Sequence, residues 1–240
     1  MKITAVLGSP NRDGNTARLV QKALDGARDR GAEVELIHLR DYRIEYCNGC
    51  LSNGSRTFCL AGGRCTIRDD AEMLKRKLED SDGIILASPS YGIQPSARMK
   101  NFLTDRIGMW TAYTSGYAGK YFIGISTAGG IGASKVARDL AHTATVGFFG
   151  RAYASGSLGV LVGHGTVDRF PKQLDRAYRL GRKLARDITL RRRYPLQKLG
   201  DRVVNRLVVR RMILRNIRSH RDGRMKAVYA NLTARGLITQ

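Results

Sequence analysis

The sequence predicts a doubly wound α/β domain with a five-stranded parallel sheet, followed by a basic helical C-terminal extension. Apolar runs alternate with segments of helical periodicity as far as residue 188 of the 240. Neighbouring parallel strands need a crossover helix between them, so this alternation favours a parallel sheet covered by helices on both faces. Basic residues then accumulate, and we place a boundary between residues 1–188 and residues 189–240.

The first half of the domain combines short apolar runs with two helical segments. Its predicted strands are KITAVL at 2–7, VELIHL at 34–39 and GIILAS at 83–88. Residues 14–30 carry apolar side chains at helical spacing, and a second helix is expected from Asp69-Asp70 to about Ser81. Asp69 is placed to cap free N–H groups of that helix, and both carboxylates favour its positive end.

The second half continues the same alternation. Its predicted strands are YFIGIST at 121–127 and SLGVLV at 157–162. Its predicted helices are 95–107, 133–146 and 171–188. The segment RRRYP at 191–195 then ends the pattern.

Composition and charge limit the class of protein. With 42% hydrophobic residues the chain can bury a core, and its formal net charge is +22. The N-terminus lacks the long apolar region and cleavage site of a secretory signal, and no apolar run approaches the roughly 20 residues that span a bilayer. We therefore expect a cytosolic protein. The sequence contains no H-E-x-x-H or G-x-S-x-G motif, so metalloprotease and serine-hydrolase chemistry have no support.

The loop after the first strand, GSPNRDGNT at 8–16, differs from two common nucleotide-binding turns. It has neither the G-x-G-x-x-G of a dinucleotide-binding turn nor the Gly-Lys-Ser/Thr ending of a P-loop. It carries small polar side chains instead, on Ser9, Asn11, Asn15 and Thr16. With the N–H groups at the start of the next helix, these side chains can surround a phosphate. The alternative is an ordinary polar loop capped by Asn15 or Thr16.

Two later loops are expected at the same edge of the sheet. The third strand runs into SPSYGIQPSARMKNFLTDR at 88–106, which begins with Pro89, Ser90, Tyr91 and Gly92. The fourth runs into STAGGIG at 126–132, which contains Thr127, Ala128, Gly129 and Gly130. In a doubly wound sheet, ligands bind beyond the carboxyl ends of the strands. A tyrosine ring and closely approachable glycine amides suit a planar heterocycle.

All four cysteines lie in one segment, the cysteine loop, which spans residues 47–65. A reducing cytosol argues against structural disulfides and favours metal binding or redox chemistry. Four thiolates are the number that an iron-sulfur cluster needs, and they also suit a structural zinc ion. An iron-sulfur cluster, zinc, and free thiols or a disulfide are therefore the alternatives for Cys47, Cys50, Cys59 and Cys65.

Taken together, these segments resemble the flavodoxin-like NAD(P)H-dependent FMN reductases. GSPNRDGNT, SPSYGIQPSARMKNF and STAGG occur in the same order and at the same strand ends, over roughly residues 1–188. The resemblance implies a 2-1-3-4-5 strand order and a bound FMN. It places the FMN phosphate in the 8–16 loop and the isoalloxazine ring between the 89–92 and 127–130 loops.

The cysteine loop is similar to that of the iron-sulfur flavoprotein branch of this group, which carries a compact C-x2-C-x2-C motif, a later fourth cysteine and a pair of aspartates. Cys47, Cys50 and Cys65 match three of those positions, and Asp69-Asp70 matches the aspartate pair. The third motif position is Asn53 here, and Cys59 lies in an apparent insertion, giving C-x2-C-x8-C-x5-C. The resemblance implies a 4Fe-4S cluster on these four cysteines, with Cys59 in the displaced position.

The extension is strongly basic and also apolar. Residues 191–240 contain 12 Arg and 2 Lys against 2 Asp. On a helical wheel, residues 202–218 place apolar side chains on two sides between stripes of arginine, a pattern that suits burial between two surfaces. A membrane-lying helix has a single apolar face. The expectation is packing of the extension between its own domain and a second subunit of a homodimer or homotetramer, with arginines able to steer an acidic electron-transfer protein such as ferredoxin. An anionic membrane and nucleic acid are the alternatives.

The functional hypothesis is a two-centre redox protein in which FMN and a 4Fe-4S cluster exchange electrons. No side chain is assigned as a catalytic acid or base, because the chemistry belongs to the cofactors. One alternative is an NAD(P)H-dependent FMN or quinone reductase without a cluster. Another is a nucleic-acid or membrane-surface binding module with a basic tail. An NAD(P)H donor would have to stack on the exposed flavin face, since no second nucleotide domain is evident.

Overall fold

The structure, a computed structural model, describes residues 1–50, 59–143 and 147–239. Its main sheet is parallel, and its strands lie in the order β2-β1-β3-β5-β6. These strands are β1 (Lys2–Leu7), β2 (Glu33–His38), β3 (Gly83–Tyr91), β5 (Tyr121–Ala128) and β6 (Tyr153–Leu161). A two-residue strand, β4 (Gln94–Pro95), pairs antiparallel with the end of β3. Without β4 this is the 2-1-3-4-5 order, as expected.

The sequence pattern explains which strands are central. Every residue of β5 is buried, as are all of β1 after Lys2 and β3 as far as Ser88. Strands buried on both faces read as continuous apolar runs, whereas β2 at one edge is only partly buried. The sheet therefore has helices on both faces.

One face of the sheet is covered by α1 (Asn15–Arg28) and α7 (Pro171–Thr189). The two helices approach closely at Gly181, where a Cβ would lie 1.8 Å from the carbonyl oxygen of Ala23. Leu24 of α1 and Leu184 of α7 join one apolar core with Ile85 and Ile123 of the sheet. The absence of a side chain at Gly181 therefore permits the contact that closes this face.

The other face is covered by α3 (Ala71–Glu79), α6 (Ala133–His142) and the helical segment after β4. That segment is α4 (Ala97–Lys100), a π-helix (Asn101–Arg106) and α5 (Gly108–Thr114), where the sequence predicted one helix at 95–107. Helix α6 ends at His142, earlier than the predicted 146, and residues 144–146 lie outside the described part of the chain.

The C-terminal extension is helical, as predicted. It contains α8 (Leu199–Val204), a second π-helix (Asn205–Val209), α9 (Arg210–Ser219) and α10 (Lys226–Ala234). The connector at 190–198 follows the edge strand β6. There the side chain of Gln197 accepts from Ala154 N and donates to Ala154 O, both at 3.0 Å, so it occupies backbone groups that an edge strand leaves unpaired.

The extension packs against its own domain through a third apolar core. Ile217, Met225, Val228 and Leu232 of the extension meet Leu60, Trp110 and Phe149 in this core. Leu60 belongs to α2 (Cys59–Gly62), so the extension packs against this described part of the cysteine loop. The division at residue 188 remains a sequence-based prediction. Within the described residues, no helix is long and apolar enough to cross a bilayer.

Candidate functional site

The three predicted loops meet beyond the carboxyl ends of β1, β3 and β5. The hydroxyl groups of Thr16 and Thr127 are hydrogen-bonded at 2.6 Å, which joins the 8–16 loop to the end of β5. The Ser96 hydroxyl donates to the carbonyl of Gly8 at 2.7 Å, which joins the same loop to the start of α4. Thr16 and Thr127 are 111 residues apart in the sequence and Gly8 and Ser96 are 88 apart, and the parallel sheet brings these loops together.

The 8–16 loop is shaped by its own polar side chains. The Ser9 hydroxyl accepts from Asn11 N and the Asn11 side chain accepts from Asp13 N, both at 3.1 Å. The loop leads into α1, whose N-cap is Gly14 and which has no side-chain cap. The first-turn N–H groups of a helix lack intrahelical partners and carry partial positive charge. The loop therefore offers N–H donors to an anion, as a phosphate group requires.

The side chain of Asn15 forms hydrogen bonds with a fourth loop that the sequence did not indicate. Its side-chain amide donates to the carbonyl of Gly165 at 3.1 Å and accepts from Val167 N at 2.7 Å. These bonds hold the 163–167 loop after β6 against the start of α1. The role of Asn15 as a phosphate ligand stays a prediction, and its observed contacts position the loops.

The 89–92 loop presents an aromatic ring and a strained turn. Tyr91 is 56% exposed at the end of β3, and Gly92 and Ile93 both have positive φ, at 55° and 63°. Among the described residues, the buried Ser90 hydroxyl lacks a hydrogen-bond partner. Non-glycine residues at positive φ concentrate at ligand sites. Ser90 and Tyr91 thus offer a free polar atom and an exposed ring.

The loop after β5 lies directly against the 89–93 segment. Gly132 has a φ of 93°, and a Cβ there would lie 2.7 Å from the Ser90 hydroxyl oxygen. Gly129 and Gly130 are exposed, and a Cβ at Gly130 would have no atom within 4 Å. Ile131, which the sequence analysis did not single out, is 70% exposed. Exposed apolar side chains beside accessible glycine backbone suit the binding of a planar ring.

The segment before the cysteine loop is tied to the residues just after it. Arg43 N donates to Asp70 at 2.7 Å and Glu45 N donates to Asp69 at 2.8 Å. Asp69, which the sequence predicted to cap α3, does accept from Ala71 N at 3.1 Å. The aspartate pair thus brings the chain entering at Cys47 close to the chain leaving after Cys65.

A buried ion pair reinforces this closure. Arg106, from the π-helix, pairs with Asp69, and the two side chains are 1% and 0% exposed. Arg106 also donates to the carbonyl of Glu45 at 2.6 Å and to the Cys65 sulfur at 3.5 Å. Burial alone would raise the pKa of Asp69, but the hydrogen bonds from Arg106 and two backbone N–H groups hold that pKa below its ordinary value. The Arg106 guanidinium therefore contacts both Asp69, which joins the two ends of the cysteine loop, and the Cys65 sulfur.

The surroundings of Cys59 oppose ionisation of its thiol. Burial, followed by the charges of Cys50, Cys65 and Cys47, raises the pKa of Cys59 to about 11. Cys50 and Cys59 also pack against the third apolar core. A buried thiol that is hard to ionise is stabilised as a thiolate when a metal centre shares its charge. The chemistry of this donor set therefore fits a four-cysteine centre.

The sulfur atoms do not form an assembled metal site in the described residues, where no group of three or more potential ligands has metal-binding geometry. Asn53, the departure from the compact motif, lies outside the described residues, as do the other residues of 51–58. The structure thus describes the supports of the site at Cys47–Cys50 and from Cys59 onward.

Comparison with known proteins decides the family. The sequence pattern of the family described as NADPH-dependent FMN reductase matches residues 1–164. The chain belongs to this family. An iron-sulfur flavoprotein from Archaeoglobus fulgidus is 34% identical over 190 residues, which cover 77% of this chain and 79% of that relative. The member described here is thus a flavin-dependent oxidoreductase, and the resemblance seen in its motifs is confirmed.

Solved structures agree on the fold. A flavone reductase aligns with a TM-score of 0.60 and 20% identity, over 79% of this chain and 63% of that chain. A flavodoxin from the domain Archaea aligns with a TM-score of 0.50 and 17% identity, over 79% of this chain and 99% of that chain. At these identities the likeness concerns the fold alone, which is flavodoxin-like.

Proposed function

We propose that this FMN reductase family member transfers electrons between a bound FMN and a 4Fe-4S cluster held by the cysteine loop. Bound FMN supplies chemistry in two-electron and one-electron steps, and a cluster supplies one-electron steps. The observation that carries the proposal is that Asp69, Asp70 and Arg106 hold the two ends of the cysteine loop together, with the Arg106 guanidinium also donating to the Cys65 sulfur. The iron-sulfur flavoprotein relative, alike over most of both chains, supports the same reading.

For FMN, the loops described above supply the binding groups. The free N–H groups at the start of α1, with Ser9 and Thr16, would hold the phosphate. Tyr91 and the backbone at Thr127–Gly130 would contact the ring, with Pro89, Ser90 and Gly92 shaping its edge. Because Tyr91 and Ile131 are exposed, one side of the ring would remain accessible to an NAD(P)H donor.

For the cluster, Cys47, Cys50, Cys59 and Cys65 would be the ligands. Arg106 would donate to the Cys65 sulfur and offset part of the negative charge of four thiolates. The apolar core beneath Cys50 and Cys59 would exclude water from one side of the centre. Burial and hydrogen bonds to sulfur are two of the factors that set a cluster's reduction potential.

A specific observation also favours a second candidate. The family description names NADPH as donor and says nothing of a cluster, so a reductase acting on FMN or a quinone without a cluster fits the same FMN site. In that case the four thiols would hold zinc or remain free. A homodimer or homotetramer and an acidic electron-transfer partner such as ferredoxin remain predictions for either function.

The number of electrons that the protein accepts separates the two candidates. In an anaerobic reductive titration followed by absorption, the two-centre protein should take up about three electrons per chain, and FMN alone takes up about two. The Cys59→Ser variant should keep its FMN and fall to about two. If the unaltered protein takes up about two electrons and turns over with NADPH, the cluster-free reductase is the function.

A further inference from the structure

The outer side of the C-terminal helices carries an apolar stripe that no described part of the chain covers. Its members are 48–62% exposed, although all are large aliphatic or thioether side chains. The apolar stripe consists of Leu199, Val203, Val204, Leu207, Val208 and Met212. These residues lie at helical spacings of three to five, so they form one continuous face across α8, the second π-helix and the start of α9. Continuous exposed apolar faces mark sites that bind another protein, a membrane or a ligand.

The opposite side of the same helices is already used. Ile217 is fully buried in the third core, and Ile213 and Leu214 pack against it. Asn205 donates to the carbonyls of Gly147 and Phe148 at 3.4 and 3.3 Å, which fixes the π-helical turn to the domain. The sequence showed two apolar sides, and the structure buries one of them. The solvent-facing remainder therefore has the single apolar face that an interfacial helix requires.

Arginines border the apolar stripe. Exposed arginines lie on its flank and beyond its C-terminal end, at positions 206, 210, 211, 215 and 218. Residues 199–219 contain six Arg and one Asp, so this surface is strongly cationic. The preceding connector adds Leu190 and Leu196, 66% and 80% exposed, beside the exposed run Arg191–Arg193. Arg202 donates to the carbonyl of Pro195, which holds the connector against the start of α8.

We infer that the apolar stripe and its arginines bind the surface of an anionic lipid membrane. Apolar side chains at the headgroup boundary and basic side chains near anionic lipids stabilise such binding together. A second copy of this chain fits less well, because twofold pairing through the stripe would bring two cationic borders together. Nucleic acid offers phosphates to the arginines, but it leaves the apolar stripe without a partner.

The test is co-sedimentation of the full-length FMN-loaded protein with vesicles. One vesicle contains phosphatidylcholine alone, and the other contains about 30 mol% phosphatidylglycerol, at about 0.1 M salt. The protein should sediment with the anionic vesicles, stay in solution with the neutral ones, and dissociate as salt rises. Equal binding to both vesicles, or to neither, would overturn the inference.

Two pairs of variants separate the apolar and the cationic contributions. Leu207→Gln with Met212→Gln should weaken binding at least about tenfold, since each change removes an apolar side chain that the membrane would bury. Met73→Gln is the matched control, because Met73 is an exposed methionine on α3, and it should bind as the unaltered protein does. Arg211→Gln with Arg215→Gln should weaken binding about thirtyfold, and Arg30→Gln with Arg176→Gln removes the same charge elsewhere as control.

Light scattering on the same proteins tests the alternative that a second copy of this chain covers the apolar stripe. One contrary result is an oligomer of the unaltered protein that Leu207→Gln with Met212→Gln converts to a smaller assembly and that vesicles do not disrupt. That result would make the apolar stripe a subunit interface and the membrane inference wrong. Binding to a polyanion that is unaffected by the apolar variants would likewise overturn it. A monodisperse protein whose assembly is unchanged by these variants, and whose vesicle binding is lost, supports it.

Discussion

Asp69 is the residue on which the cysteine region converges. Its carboxylate accepts from Glu45 N before the loop and from Ala71 N at the start of α3, and it pairs with Arg106 from the π-helix. Both charged side chains are fully buried. Either charge would be costly to bury alone, because it would lose its hydration. In the pair, the partner's charge and hydrogen bonds offset that loss. Removal of one partner should therefore be far more damaging than loss of a surface ion pair.

Asp69→Asn should lower the free energy of unfolding by about 3 kcal/mol near pH 7, since it leaves Arg106 buried and uncompensated. The pKa of Asp69 is lower in the folded protein than in the unfolded chain, so the pair's contribution is complete above the unfolded value of about 4. It is lost as the pH falls through the folded value. The difference between variant and unaltered protein should therefore shrink in acid, as measured by urea unfolding at several pH values.

Asp175→Asn is the matched control, because it breaks an exposed ion pair with Arg179 on α7. Exposed pairs contribute less than about 1 kcal/mol. Equal losses for the Asp69 and Asp175 variants would show that the buried pair is not what closes the cysteine loop.

At the scale of elements, the FMN site depends on how closely the loop after β5 approaches the loop after β3. Gly132 allows this approach for two reasons. Glycine adopts its positive φ without strain, and the absence of a side chain leaves space for the Ser90 hydroxyl. The contact places the ring-binding loops side by side. It also connects the start of α6 to the hairpin formed by β3 and β4.

Gly132→Ala should lower the free energy of unfolding by about 1–3 kcal/mol and weaken FMN binding, because alanine is strained at this φ and crowds the Ser90 hydroxyl. Thermal unfolding and FMN titration of the apoprotein measure the two effects. Gly200→Ala, within α8 and with open space around its Cβ position, should instead be neutral or stabilise by up to about 1 kcal/mol without changing FMN affinity. A Gly132→Ala protein as stable as the unaltered one would contradict this view of the loop contact.

The sequence was sufficient for the sheet and for the three loops because their signals are local. Continuous apolar runs identified the buried strands, and the parallel order then determined where the loops meet. It was not sufficient for the pairing of Asn15 with the 163–167 loop or for the ion pair of Arg106, since both join positions far apart in the chain. The π-helix at 101–106 was also missed, because its apolar spacing differs little from that of an α-helix.

At the scale of the whole molecule, the C-terminal extension shares an apolar core with the described residues of the cysteine loop. The third apolar core joins Leu60, Cys50 and Cys59 to side chains of α9 and α10, and it is separate from the two cores that cover the sheet. The sequence predicted that the extension packs between its own domain and a second subunit. The structure shows the contact with its own domain, and the oligomeric state remains a prediction.

Leu232→Ala should therefore loosen the cover of the cysteine loop and accelerate iron loss to a chelator, while FMN is retained. Leu24→Ala is the matched control, because Leu24 is equally buried but lies in the core beneath α1. Each change should cost about 3 kcal/mol of stability. Only the first should release iron faster than the unaltered protein. Equal iron release from the two variants would contradict a specific link between the extension and the cysteine loop.

The composition of anaerobically purified protein shows whether one chain carries both FMN and a 4Fe-4S cluster. FMN, iron, acid-labile sulfide and zinc are measured on one sample of the full-length chain. We expect about one FMN, four iron atoms and four sulfides per chain, because four cysteine ligands suit that cluster. One zinc ion without sulfide, or FMN with neither iron nor sulfide, would contradict the two-centre function and leave a flavin reductase with a different use for its four thiols.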